Sequence, residues 1–226
     1  MKRFAIGDIH NRSSALEQCL ERSGFDKEND VLISLGDIVD GPDLDLYKVM
    51  EELRTIKNLI ICIGNHDLWF KNWVETGMEL PIHIHQGGEQ SLAAYDYNRK
   101  NVPESHINLL NCATSFYIDG NANLFVHGGF DERHSIQQQD LEFITWDRDL
   151  VYKYGRGYAK HPVKGYKRVF LGHTSTQAIK HSWDATEPII TDNVIALDTG
   201  GGWNGKLTIM DVDTLEYWQS DLQTPS

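Results

Sequence analysis

Short apolar runs recur along the chain, and most of them stop at a glycine followed by polar side chains. Val31-Leu32-Ile33-Ser34-Leu35 runs into Gly36-Asp37-Ile38-Val39-Asp40, and Leu59-Ile60-Ile61-Cys62-Ile63 runs into Gly64-Asn65-His66-Asp67. Runs this short, rich in β-branched residues, predict buried parallel strands whose carboxyl ends carry the polar groups. Between them, Leu46, Val49, Met50 and Leu53 recur at a helical period within residues 43–57, which predicts the crossover helix of a βαβ unit. That unit points Asp37, Asp40, Asn65 and His66 into one crevice.

The same module precedes it. Residues 2–6 predict a strand ending in Gly7-Asp8-Ile9-His10. A helix follows, capped by Ser13 or Ser14 and ended by Gly24, with Ala15, Leu16, Cys19 and Leu20 on one face. After the βαβ unit, residues 68–77 predict a helix whose Trp69, Phe70 and Trp73 form a core or lid stripe. Residues 81–88 predict a loop with His83 and His85 as surface or substrate-cleft histidines, and residues 89–98 and 103–112 predict two more helices. Residues 68–113 are thus expected to be a helical insertion within a single domain spanning 1–226.

Phe116-Tyr117-Ile118 and Leu124-Phe125-Val126 flank Asp119-Gly120-Asn121 and predict a hairpin that delivers His127-Gly128-Gly129. Residues 137–154 mix helix and turn, and residues 155–165 form a glycine-rich loop. Arg168-Val169-Phe170-Leu171 ends in Gly172-His173-Thr174, and Val194-Ile195-Ala196-Leu197 ends in Asp198-Thr199-Gly200. Residues 206–212 and 215–219 predict a closing hairpin, and the end through Pro225-Ser226 predicts a frayed tail.

Composition narrows the partners. With 21 basic and 33 acidic residues the formal charge is −12, which argues against broad binding to nucleic acid or an anionic membrane. A phosphate substrate then needs local positive charge, and metal ions are the source to expect. Cys19, Cys62 and Cys112 are isolated and suggest neither a disulfide framework nor a thiolate site; Cys62 reads as core packing. The apolar stretch at residues 4–6 is too short for a signal-peptide core, and no run approaches the ~18 residues of a membrane span, so the cytoplasm is the expected compartment.

Five strand ends offer Asp8/His10, Asp37/Asp40, Asn65/His66, His127 and His173, and strand ends of an α/β sheet gather their loops at the carboxyl edge. Oxygen and imidazole ligands without thiolate suit Mn²⁺, the first choice, or Fe²⁺ or Zn²⁺. For two ions, Asp8 and His10 serve one, Asn65, His127 and His173 the other, and Asp37 bridges. Such a pair can hold a bridging hydroxide and clamp a phosphoryl group during in-line displacement. His66 is left over to protonate the leaving oxygen, with Asp40 to orient its ring.

At these motifs the sequence resembles the calcineurin-like metallophosphoesterases, in particular the phosphoprotein-phosphatase branch with its compact phage-lambda and bacterial members. The matching segments, from Gly7-Asp8-Ile9-His10 to Gly172-His173-Thr174, stand in family order, and Leu197-Asp198-Thr199-Gly200 is similar to a late strand end of that family. The resemblance implies an α/β fold with a β-sandwich flanked by helices, a two-metal site at one edge, and direct attack on phosphorus without a phosphoenzyme. There are departures. The family's arginine after the Asp40 position is Gly41 here, and its usual glycine is Asn11. Arg148, in Trp146-Asp147-Arg148, resembles a second phosphate-contacting arginine, against a plainer reading as a helix-surface charge.

The expected activity is hydrolysis of phosphomonoesters, with phosphoserine and phosphothreonine in proteins first and phosphotyrosine as a further candidate. The alternative is a symmetrical dinucleoside tetraphosphatase, whose pattern the chain resembles at Gly64-Asn65-His66-Asp67-Leu68, although that pattern implies no carboxylate at Asp40. A silent phosphoprotein- or metal-binding module, suggested by Gly41, is the third reading.

Overall fold

A computed structural model describes residues 1–223; the tail predicted to fray falls partly on 224–226, outside the described residues. Strands β1 (Arg3–Ile6), β2 (Val31–Ser34) and β3 (Asn58–Ile61) run parallel, joined by α1 (Ser13–Ser23) and α2 (Leu46–Arg54). The predicted βαβ unit is therefore present, and Leu46, Val49, Met50 and Leu53 are the buried residues of α2. Ser13 does not cap α1 but is its first residue, and its hydroxyl donates to Asp45 Oδ2 at 2.8 Å.

Between β3 and the second sheet lie α3 (Asn65–Thr76), a single turn α4 (Pro81–His83), α5 (Glu89–Ala93) and α6 (Glu104–Asn111). The expected loop at 81–88 is helical instead: α4 runs into a π-type turn over Ile84–Gly88 that breaks at Gln86 and Gly87. The second sheet collects β4 (Phe116–Ile118), β5 (Asn123–Val126), β6 (Arg168–Leu171), β7 (Ile189–Ile190) and β8 (Val194–Ala196), with α7 (Leu141–Trp146), α8 (Asp149–Gly155) and α9 (Thr176–Lys180) against it. Strands β9 (Thr208–Asp211) and β10 (Tyr217–Gln219) form the predicted closing hairpin but return to the first sheet. The sheet orders are β10-β9-β1-β2-β3 and β4-β5-β6-β8-β7.

The uninterrupted apolar runs follow from burial on both faces. Phe4 and Ile6 point to the helices while Ala5 points between the sheets; Leu124 and Val126 do the same around Phe125. The layer between the sheets holds Ile33, Cys62, Phe170, Leu197 and Met210, so Cys62 is core as expected, and burial pushes its thiol up to about 12. Each such fully buried aliphatic or aromatic side chain contributes about 1.5–3 kcal/mol.

Register brings the strand ends level. Ile6 pairs with Ser34 and Ser34 with Ile61 in one sheet, while Val126 pairs with Leu171 and Leu171 with Ala196 in the other. The polar segments that follow therefore emerge along one edge of the sandwich. Among the described residues no helix is long and apolar enough to cross a membrane.

Candidate dinuclear metal centre

Two groups of ligand atoms meet at that edge: Asp8, His10 and Asp37, and Asp37, His127 and His173. Within each group one atom from every residue lies within 4.8 Å of the others, and Asp37 belongs to both. Its Oδ2 lies 3.1 Å from His127 Nε2 and 3.9 Å from His10 Nε2, while its Oδ1 accepts the His66 N–H at 3.0 Å. A Cβ on Gly64 would lie 2.0 Å from that Oδ1, so the glycine ahead of Asn65 is required by this close approach. Asn65 Oδ1 is 3.1 Å from His127 Nε2, which sets it at the second group.

The backbone carries the same signature. His10, Asp37, Asp40 and His173 all have positive φ, between 47° and 62°, and so does Asn11 at 61°. Left-handed backbone costs a residue with a Cβ on the order of 1–2 kcal/mol, and asparagine tolerates it best after glycine. Asn11 can thus stand where the resembling family has glycine.

The sheets are joined through the site itself. His127 Nδ1–H donates across the sandwich to the Leu35 carbonyl at 2.7 Å, and the His173 N–H donates to Asp8 Oδ2 at 2.9 Å. His10 Nδ1–H points at the Val39 carbonyl (3.1 Å) and at the Asp40 carbonyl. Carbonyl acceptors on Nδ1 leave Nε2 of both imidazoles with a lone pair toward the cluster. Asp8 Oδ1 and His173 Nε2 are buried with no hydrogen-bond partner. Orphaned donor atoms beside a shared carboxylate fit divalent cations, and the oxygen and nitrogen set is suited to Mn²⁺, Fe²⁺ or Zn²⁺.

Electrostatics agree. Burial, then Asp198 and Asp37, push the Asp8 carboxyl well above its ordinary range. Burial would also raise Asp37, but His127 and His66 outweigh it and hold that carboxyl ionised far below the usual value. Burial and the neighbouring His66 lower His10. Burial also lowers His173, to about 2, while Asp37 raises His127 against its burial, so the crowded carboxylates and the uncharged imidazoles of His10 and His173 are what a cation relieves.

Beside the cluster, His66 Nδ1 is 3.0 Å from Asp40 Oδ2, with the aspartate fully buried. Burial opposes charge on His66, yet Asp37 and Asp40 overcome it and raise its pKa above the ordinary value. Arg148 is half-buried at the start of α8, and its Nη1 donates to the His173 carbonyl (3.0 Å) and the Thr174 hydroxyl (2.9 Å). It adjoins the cluster rather than standing out on a helix surface.

Three residues gain parts that the sequence reading did not give them. Asp67 at the third position of α3 accepts N–H groups from Gly64 and Asp37 (both 2.9 Å) and from Ile38 (3.0 Å), so one carboxylate holds two ligand loops together. Burial and then Asp37 push it up to about 6. An acidic residue three positions after Gly64, where the first turn of a helix favours Asp or Glu, is the signal that could have found it. Asp198 lies close enough to Asp8 and His10 to shift both. His83, expected at the surface or in a substrate cleft, is buried, with Nε2 3.1 Å from the Asp40 carboxylate; His85 is exposed.

Position 41 has a steric explanation. A Cβ on Gly41 would lie 2.0 Å from the His10 carbonyl oxygen, and one on Gly87 would lie 2.6 Å from the Gly41 nitrogen. The Gly41 N–H donates to the Gly87 carbonyl at 3.2 Å, so two glycines join the segment before α5 to the ligand loop. An arginine cannot be restored here without moving His10. Gly41→Ala is expected to destabilise by about 1–3 kcal/mol and Gly41→Arg by more, as overpacking does. Urea melts with parallel metal analysis check this; a Gly41→Arg protein as stable as the parent would contradict it.

Tryptophans edge the cluster. Trp203 lies 5.9 Å from His10, Trp69 4.8 Å from His66, and Trp146 5.6 Å from His173, all as ring-centroid distances.

The family described as calcineurin-like phosphoesterase matches residues 1–197. A symmetrical bis(5'-nucleosyl)-tetraphosphatase of Neisseria meningitidis is 24% identical over 269 residues, covering 97% of this chain and 95% of that protein. The protein of that name from Pseudomonas syringae is 28% identical, covering 97% of this chain and 91% of its own. Among solved structures, one described as a candidate diadenosine tetraphosphatase superposes with a TM-score of 0.70 at 17% identity, covering 96% of this chain and 92% of the other; that likeness bears on the fold.

Proposed function

The chain belongs to the calcineurin-like phosphoesterase family and is a phosphoester hydrolase, and from that premise we propose that it cleaves dinucleoside tetraphosphates symmetrically. The observation that carries this reading is similarity to symmetrical tetraphosphatases along nearly the whole chain, 97% of it in the Neisseria comparison. The reaction adds water at an inner phosphorus, breaks the central P–O–P linkage and releases two nucleoside diphosphates.

Two divalent ions would be held by Asp8, His10 and Asp37 and by Asp37, Asn65, His127 and His173, and when bound they supply an activated water and stabilise charge on the phosphoryl oxygens. The protein's own groups do the rest in this proposal. Asp40 accepts the Nδ1–H of His66, which leaves Nε2 to carry a proton toward the leaving oxygen. Arg148, fixed through one nitrogen to the His173 loop, is our candidate for a phosphoryl contact through its fork. Trp203, Trp69 and Trp146 set indole rings beside the cluster, and in this proposal aromatic rings there suit nucleobases.

One observation favours a second reading. A diphosphate leaves readily as an anion, whereas an alkoxide needs a proton, and the Asp40–His66 pair is a means of giving one. That pair suits phosphomonoesters, including the phosphoprotein substrates of the phosphoprotein-phosphatase branch. Diadenosine tetraphosphate, a phosphoserine peptide and p-nitrophenyl phosphate, assayed side by side with Mn²⁺, separate the two. The tetraphosphatase reading predicts ADP as the sole nucleotide product and the highest kcat/KM on the dinucleotide. Turnover confined to the monoesters would replace it with the second reading.

A further inference from the structure

Asp40 is held at every polar atom. Its N–H donates to Ser91 Oγ at 2.8 Å, its carbonyl accepts from His10 Nδ1, and its carboxylate meets His66 Nδ1 at 3.0 Å and His83 Nε2 at 3.1 Å. Both imidazoles and the carboxylate are buried, and His83 comes from a different part of the chain, 43 residues beyond Asp40. Trp69 covers the arrangement, 4.8 Å from His66 and 6.0 Å from His83. His83 Nδ1 is buried without a partner. A stranded lone pair costs less than a stranded N–H, so the hydrogen belongs on Nε2, where Asp40 accepts it.

We propose that His83 is a positioning residue for the leaving-group proton: through Nε2–H it fixes the Asp40 carboxylate, which in turn fixes the ring of His66. A carboxylate with one imidazole partner can swing about its own side-chain torsions. With a second N–H, 3.1 Å from each carboxylate oxygen, it has one orientation, and so does the ring that donates to it. The 81–93 segment thereby enters the chemistry, since it supplies His83, Ser91 and the Gly87 carbonyl to residues 40 and 41. The inference rests on the reading of His66 as proton donor, and its test separates the two.

Wild type, His66→Asn, His83→Phe, His83→Leu and His83→Gln are compared with Mn²⁺ on p-nitrophenyl phosphate, whose leaving group needs little protonation, and on phenyl phosphate, whose leaving group needs more. Phenylalanine keeps the ring's bulk and leucine fills less of the site, so a packing failure in one leaves the other to be read. Expected is a kcat loss on phenyl phosphate about tenfold greater than on p-nitrophenyl phosphate, a fraction of the ~10²–10⁴ that general-acid catalysis supplies, with KM little changed. Glutamine, whose amide can replace the Nε2–H, recovers most of that loss. In the His66→Asn background the His83 substitutions add no further leaving-group dependence. Equal losses on both substrates, or full additivity with His66→Asn, would overturn the proposal. If His66→Asn itself shows no leaving-group dependence, the proton-donor reading fails and this inference with it. A measurement on the unmodified protein needs no variant: long-range ¹H–¹⁵N spectra of labelled histidine should show His83 with a hydrogen on Nε2, and a ring with its hydrogen on Nδ1 and none on Nε2 would exclude the bond to Asp40.

Discussion

Asp37→Asn is expected to lower kcat by about 10³-fold or more and to reduce bound metal from two ions to one or none. The size of the effect follows from the shared position of this side chain. Its Oδ2 faces histidines of both ligand groups, at 3.1 Å and 3.9 Å, so a single neutral amide weakens both sites at once. The substitution is also a clean one. Asn accepts the left-handed backbone of residue 37 (φ 47°) as readily as Asp does, and its Oδ1 can still receive the His66 N–H. Folding should therefore survive, which circular dichroism checks, while elemental analysis after gel filtration reads the metals. Two ions retained at full occupancy would show that Asp37 does not bridge.

His66→Asn has the second largest expected effect and the opposite metal signature. A fall of about 10²–10⁴-fold in kcat is expected, with both ions retained, because the ring hydrogen-bonds Asp40 and lies outside both ligand groups. The loss should be steep for a poor leaving group and shallow for a diphosphate. A dinucleotide substrate would then report a smaller deficit than an unactivated monoester. Unchanged kcat on the poor leaving group would remove His66 from proton transfer, and loss of metal would make it a ligand instead.

Much of the site could be read from the sequence because chemistry follows a visible punctuation. Apolar runs such as 31–35 and 59–63 are short, glycine-terminated and followed by ligand types, and level register then brings those ends together. Periodicity is silent about pairing partners, so it could not show that β9 and β10 close the first sheet rather than the second. The helix expected from residue 68 begins three residues earlier, at Asn65, although Asn65 and His66 have the composition of loop residues. The Asp67 carboxylate, accepting the Gly64 N–H, begins the helix there. His83 was hidden for a different reason. It alternates with exposed Ile82 and His85, near Gly87 and Gly88, and only tertiary packing against Asp40 reveals its partner. Arg148 likewise follows a helix end, where the His173 carbonyl that receives it is 25 residues away.

The back-to-back glycines at 41 and 87 also constrain how this protein can change over generations. At 41 even one methyl group meets the His10 carbonyl, and at 87 it meets the Gly41 nitrogen, so a side chain at either position displaces a loop of the site. A lineage can gain a guanidinium at 41 or keep the His10 loop where it stands, and no single substitution does both. Descendants of this chain are therefore bound to a phosphate grip built without residue 41. A route back would begin with a shift of the His10 loop, before any arginine could be gained.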